Sequence, residues 1–158
     1  DLLVMGRPEG PGCYCAANNM AKKYIDALKQ NYPFVVVDNE AGMEHMSRLV
    51  TQDVDVLYVI SDPTPRGIMT VSRILSIIGE LGLNIRKTAV IVNRVEARNE
   101  DALLRAASER SIEITGTVRN DEALIESDGA GNTIFELDGT SGALSDAYAI
   151  FQKTMGEL

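Results

Sequence analysis

Apolar positions along this 158-residue chain follow two alternating periods. Short runs, Phe34-Val35-Val36-Val37, Val56-Leu57-Tyr58-Val59-Ile60 and Ala89-Val90-Ile91-Val92, lack a polar face and predict fully buried strands. Leu2-Leu3-Val4-Met5 predicts a strand at the start, and Ile112, Ile114, Gly116 and Val118 a further one. Between them the period lengthens. Residues 15–31 set Met20, Tyr24, Ile25 and Leu28 on one helical face, and residues 66–81 do the same with Ile68, Val71, Leu75 and Ile78. Helices also fit 99–110 and 142–156. Strand, helix, strand in this succession, with short connections, predicts an α/β fold: a mostly parallel, Rossmann-like sheet covered by helices on both faces, in three layers. No linker, repeat or low-complexity tract divides the chain, so residues 1–158 read as a single α/β domain. Because Asp1 runs at once into apolar residues, with no initiator Met or capping residue, the domain is expected to be opened upstream and truncated at its N-terminus.

Composition narrows the class. A chain of this length buries roughly 70% of its unfolded surface, and a 45% hydrophobic content suits a packed core. Fifteen basic against 23 acidic residues give a net charge of −8, which repels phosphate backbones, so nucleic acid is not an expected partner. No run reaches the roughly 18 apolar residues of a membrane span, and no secretory signal pattern opens the chain. The expectation is a cytoplasmic protein with no membrane partner. In a reducing compartment its two cysteines, Cys13 and Cys15, suggest a metal or redox site over a structural disulfide.

Ligands of such sheets sit at the carboxyl ends of the strands, and polar groups gather at those positions here. After the first strand comes Gly6-Arg7-Pro8-Glu9-Gly10-Pro11-Gly12-Cys13-Tyr14-Cys15, and after the second Asp38-Asn39-Glu40-Ala41-Gly42-Met43-Glu44-His45. The third ends in Ser61-Asp62-Pro63-Thr64 and the fourth in Asn93-Arg94-Val95. A strand-end Asp38 with Gly42 four positions on has the form of a carboxylate that holds Mg²⁺ through water beside a nucleotide, the glycine N–H turning toward a γ-phosphate. An Asp that caps the following helix has the same form. Asn93 is able to meet an adenine edge or simply to make a turn. A phosphate cradle of the form G-x-x-x-x-G-K-[ST] needs Lys after Gly, and nowhere in the chain does Lys follow Gly. Triphosphate binding in the P-loop manner, and ATP hydrolysis by this chain alone, are therefore not expected.

The stretches "VMGRPEGPGCYCAANN", "VVVDNEAGMEHMSR" and "IVNRV" together resemble the CooC family, ATPases that help insert nickel into carbon monoxide dehydrogenase. That family lies in the group that includes the nitrogenase iron protein and the plasmid-partition and division-site ATPases. The resemblance implies a P-loop NTPase-like fold of which this chain is the C-terminal part. The Walker A loop and its two lysines, which lie upstream of the C-x-C in the family, are absent. It further implies that Asp38 is the Walker B acid, Gly42 the switch glycine, and Asn93 an adenine contact. Thr117 and Val118 would approach the base through their backbone, with Arg119 standing where the family carries proline. ATP or ADP with Mg²⁺ would be the nucleotide of the full-length protein.

Cys13 and Cys15 match the family's metal-binding pair. One C-x-C gives two thiolates, whereas a closed tetrahedral zinc site takes about four ligands, so a second copy of the chain supplies the rest across a two-fold axis. The metal is Zn²⁺ or Ni²⁺. His45 is expected as a solvated switch residue, and Met20, Met43, Met46 and Met69 as packing residues. The implied function is a dimeric nickel-insertion ATPase with metal at its interface and carbon monoxide dehydrogenase as partner. The alternatives are a non-hydrolysing metal-binding dimerisation module, and a partition or division-site ATPase fragment.

Overall fold

The computed structural model describes residues 1–4, 15–39, 53–137 and 141–156. The chain divides into two compact units, Asp1–Gln52 and Asp53–Leu158.

Among the described residues of the first unit the regular element is helix α1, Cys15–Asn31. It contains neither Gly nor Pro, and it stops two residues before Pro33, whose ring disfavours helical backbone in the residue ahead of it. The buried stripe is Ala21 and Ile25, with Leu28 half-buried. Met20 and Tyr24, expected on that face, are 59% and 54% exposed, so the stripe lies one position further along. The expected strands at 2–5 and 34–37 do not form: residues 2–4 and 34–37 are irregular, and Met5 lies outside the described residues. Val36 is 92% exposed. An apolar run becomes a strand only when a neighbour takes its N–H and C=O groups, and the described residues of this unit include no such neighbour.

The second unit is a three-stranded parallel sheet in the order β1 (Asp53–Ser61), β2 (Asn84–Val95), β3 (Gly116–Arg119). Helix α2 (Pro65–Leu81) joins β1 to β2, and α3 (Ala97–Ser108) joins β2 to β3. After β3 come α4 (Glu122–Gly129), a 3₁₀ turn over Ile134–Glu136 and α5 (Gly142–Gly156). The limits of α2 follow from local chemistry. Thr64 accepts the Gly67 N–H at 3.0 Å, Pro65 opens the helix where its missing N–H costs nothing, and Gly82 closes it at φ 62°.

Helices cover both faces of this sheet. On one, Val59, Val90 and Val92 meet Ile68 and Val71 of α2 and Leu103, Ala106 and Ala107 of α3. Side chains alternate along a strand, so Tyr58, next to Val59, points to the opposite face. There its ring stands edge-on to Phe151 of α5 at 5.0 Å, and its hydroxyl lies 2.5 Å from that of Thr154, which donates in turn to the Ile150 carbonyl. Gly116 lies under Ile150 on this same side, and a Cβ at that position would stand 2.5 Å from the Ile150 side chain. The expected α/β architecture is thus present in this unit. Full burial holds for residues 89–92 of β2 but not for β1, whose only buried residue is Val59; among the described residues β1 is an outer strand.

Candidate functional site

The carboxyl ends of β1, β2 and β3 form one rim because the strands are parallel and in sequence order. At the end of β1, Asp62 Oδ1 accepts from the Thr64 hydroxyl at 2.6 Å and from the Thr64 N–H at 3.2 Å, which locks the turn into α2. The helix approaches so closely that a Cβ on Gly67 would lie 2.5 Å from the Ser61 hydroxyl and 2.8 Å from the Asp62 carbonyl oxygen. A shallow open depression follows, lined by Ser61, Asp62, Gly67, Thr70 and Ile74 among others.

At the end of β2 the pairing with β3 slips between Val92 and Val95, leaving Asn93 and Arg94 in a bulge. Arg94 adopts φ 57°, and its N–H donates to Asn93 Oδ1 at 2.9 Å. That bond fixes the amide plane of an exposed Asn, the form suited to paired hydrogen bonds with a base edge. Asn120, just past β3, donates its N–H to the Val95 carbonyl at 2.9 Å and its side-chain amide to Glu96 at 3.2 Å.

Thr117 and Val118 lie within β3, the first opposite Val92. Arg119, which ends the strand, donates from Nε and from a terminal nitrogen to the two Asp146 oxygens, both at 2.7 Å, and from its backbone N–H at 3.1 Å. This charge-assisted pairing with Arg119 holds the Asp146 carboxyl below the ordinary carboxylate range. Asp121 serves two helices at once. Its Oδ1 caps α4 through the Ala123 and Leu124 N–H groups, and its Oδ2 accepts from the Ala143 N–H at 3.1 Å and the Ser141 hydroxyl at 2.8 Å at the start of α5. These bonds, that of Ala143 foremost and that of Ser141 next, keep the Asp121 carboxyl low as well.

Of the residues singled out from sequence, Asn93, Thr117 and Val118 stand on neighbouring strand ends. Asp38 is exposed on irregular backbone in the first unit. Cys15 is the first residue of α1. Cys13, Gly42 and His45 lie outside the described residues. Among the described residues no three His, Cys, Asp or Glu side chains are grouped to hold a metal ion, and no helix is long and apolar enough to cross a membrane. Sequence reasoning missed Asp121 and Asp146. The cap was legible, since Asp ahead of Glu-Ala-Leu is a helix-start signal; a bond between residues 27 apart was not.

No protein-family model matches the chain. It is 42% identical over 137 residues, 87% of its length, to an uncharacterised ATP-binding protein of Methanocaldococcus jannaschii, of which it covers 54%. It is 26% identical over 139 residues, 86% of its length, to the carbon monoxide dehydrogenase accessory protein CooC of Rhodospirillum rubrum, of which it covers 52%. In structure it is similar to the MinD cell division protein of Aquifex aeolicus, with a TM-score of 0.72 and 21% identity over 89% of this chain and 61% of that one. The chain thus spans about half the length of the curated relatives it matches. The fold is that of the MinD-type P-loop NTPases, and the first of the sequence relatives is named as an ATP-binding protein.

Proposed function

We propose that the chain is part of a metal-handling ATPase of the CooC type, a homodimer that carries Zn²⁺ or Ni²⁺ between the Cys13 and Cys15 pairs of two copies and delivers nickel to carbon monoxide dehydrogenase. The observation that carries this reading is the C-x-C at 13 and 15 in a chain whose similarity to the Rhodospirillum accessory protein spans 86% of it. Two thiolates from each of two chains complete a sulfur set of about four.

In the same reading the second unit receives the nucleotide base. Asn93 presents its fixed amide to the adenine edge, and Thr117 and Val118 approach it through their backbone. By the resemblance to the CooC family, Asp38 would be the residue that holds Mg²⁺ through water and Gly42 the switch glycine. In a whole protein with its phosphate-binding loop, nucleotide binding would supply the free energy that closes the dimer and hydrolysis would reset it.

Two other readings each have one supporting observation. The likeness to MinD favours a division-site or partition ATPase, which leaves the C-x-C without a role. The C-x-C by itself also suits a metal-binding dimerisation module that does not hydrolyse ATP. Nickel titrated into the reduced chain separates the metal readings from the division-site one. Thiolate-to-nickel charge-transfer absorption is expected in the parent and not in Cys13→Ser; an unchanged spectrum in the parent rejects the proposal.

A further inference from the structure

We infer that Arg119 is the stacking shelf for the base of a purine nucleotide, its guanidinium plane held in place by Asp146. The inference rests on the nucleotide reading of the rim and adds a residue that this reading does not use.

Three observations carry it. Arg119 ends β3 opposite Val95, with Asn93 bulged on the adjacent strand between two registered pairs, so the two residues lie on one stretch of rim. Neighbouring strands lie only about 4.8 Å apart, a spacing that one planar ring bridges. Second, the side chain is anchored. Nε and a terminal nitrogen both go to Asp146 at 2.7 Å, while Gly142 packs against it so closely that a Cβ there would stand 2.7 Å from Arg119 Cδ and 3.0 Å from Nε. Third, the anchored side chain stays open, with 62% of it exposed.

The same geometry selects the ligand. An arginine that binds phosphate offers its paired N–H edge and an unbalanced charge. Here Asp146 takes the N–H groups of Nε and of one terminal nitrogen and offsets the charge, which weakens the pull on a phosphate. The outer N–H groups and the flat face of the guanidinium remain, and that face stacks on aromatic rings. Holding the plane still before binding lowers the ordering cost of the complex. Arg119 therefore recognises the base, and purines, with the larger face, over pyrimidines.

The test is a nuclear magnetic resonance titration of Mg·ADP into the 158-residue chain and its variants. Overhauser contacts are expected between adenine protons and the Arg119 Hδ protons. Arg119→Ala and Arg119→Lys should each weaken ADP binding about tenfold, since Lys keeps the charge and loses the plane. Asp146→Asn, which keeps the bulk and frees the guanidinium, should weaken it less. If Asn93→Ala weakens ADP binding while Arg119→Lys binds like the parent, the shelf is overturned and the nucleotide reading stands. If the folded parent shows no ADP binding at millimolar nucleotide, both fall together.

Discussion

Arg119 and Asp146, 27 residues apart, are joined by two side-chain bonds of 2.7 Å and one backbone bond of 3.1 Å, fastening the end of β3 to the first turns of α5. Asp146 is thereby held ionised below the usual carboxylate range, as is Asp121 through its bonds from Ala143 and Ser141. The unfolded chain binds protons on these groups near pH 3.9, the folded chain only at lower pH. Their contribution is thus complete above about pH 5 and is lost as pH falls through the folded values. Urea midpoints measured from pH 7 to pH 3 should fall on the acid side, and Asp146→Asn should flatten part of that slope. An equal acid slope in the variant contradicts the assignment.

Asp121 holds two helix starts with one carboxylate. Losing a single cap costs about 1 kcal/mol, the effect expected for Ser141→Ala, whose hydroxyl accepts the Leu144 N–H at 3.2 Å. Asp121→Ala unties both α4 and α5, so its melting temperature should fall further than that of Ser141→Ala. Helical signal should be lost as well. Equal effects in the two variants would mean that only the α5 cap matters.

Gly116 is small because Ile150 occupies the space above it. Gly116→Val forces α5 away from the sheet, a change expected to cost about 1–3 kcal/mol as overpacking. On the opposite face Leu103, fully buried between α3 and the sheet, should cost about 2–5 kcal/mol on replacement by Ala. Denaturant unfolding of both variants measures these losses. A Gly116→Val chain as stable as the parent would show that α5 is free to shift.

No lysine follows a glycine anywhere in the chain, so phosphate cradling of the P-loop kind has no residue to perform it. The 158-residue polypeptide should release no phosphate from Mg·ATP above a boiled control. Release well above that background would require a cradle that the sequence does not contain.

Much of this fold is legible in hydrophobic period. Residues 15–31 and 142–156 carry helical periodicity and form helices with those limits, while β2 contains the apolar run at 89–92. Helix α4 carries a start signal at Asp121 but no periodicity, since it buries none of its residues and shows no apolar stripe. The runs at 2–5 and 34–37 mislead for the converse reason: they are apolar enough for strands, but strand formation is decided by a neighbour, and period says nothing about neighbours. At the rim, Asn93 was visible as a polar residue ending an apolar run. Arg119 was visible only as a departure from the proline of a resembling family, and its clamp by Asp146 depends on how α5 lies across β3, which no local pattern encodes.

The central claim is that metal and dimer form together through Cys13 and Cys15. Reduced protein titrated with Zn²⁺ or Ni²⁺, with molar mass followed by light scattering, tests it most directly. The account predicts one ion per two chains, a doubling of mass that tracks metal uptake, and weaker binding as pH falls below about 7, because the thiols must lose their protons. Cys13→Ser and Cys15→Ser should each lose both metal and dimer, while His45→Ala should keep both. One ion held tightly by a chain that stays monomeric, or a Cys15→Ser chain that binds and dimerises like the parent, contradicts it.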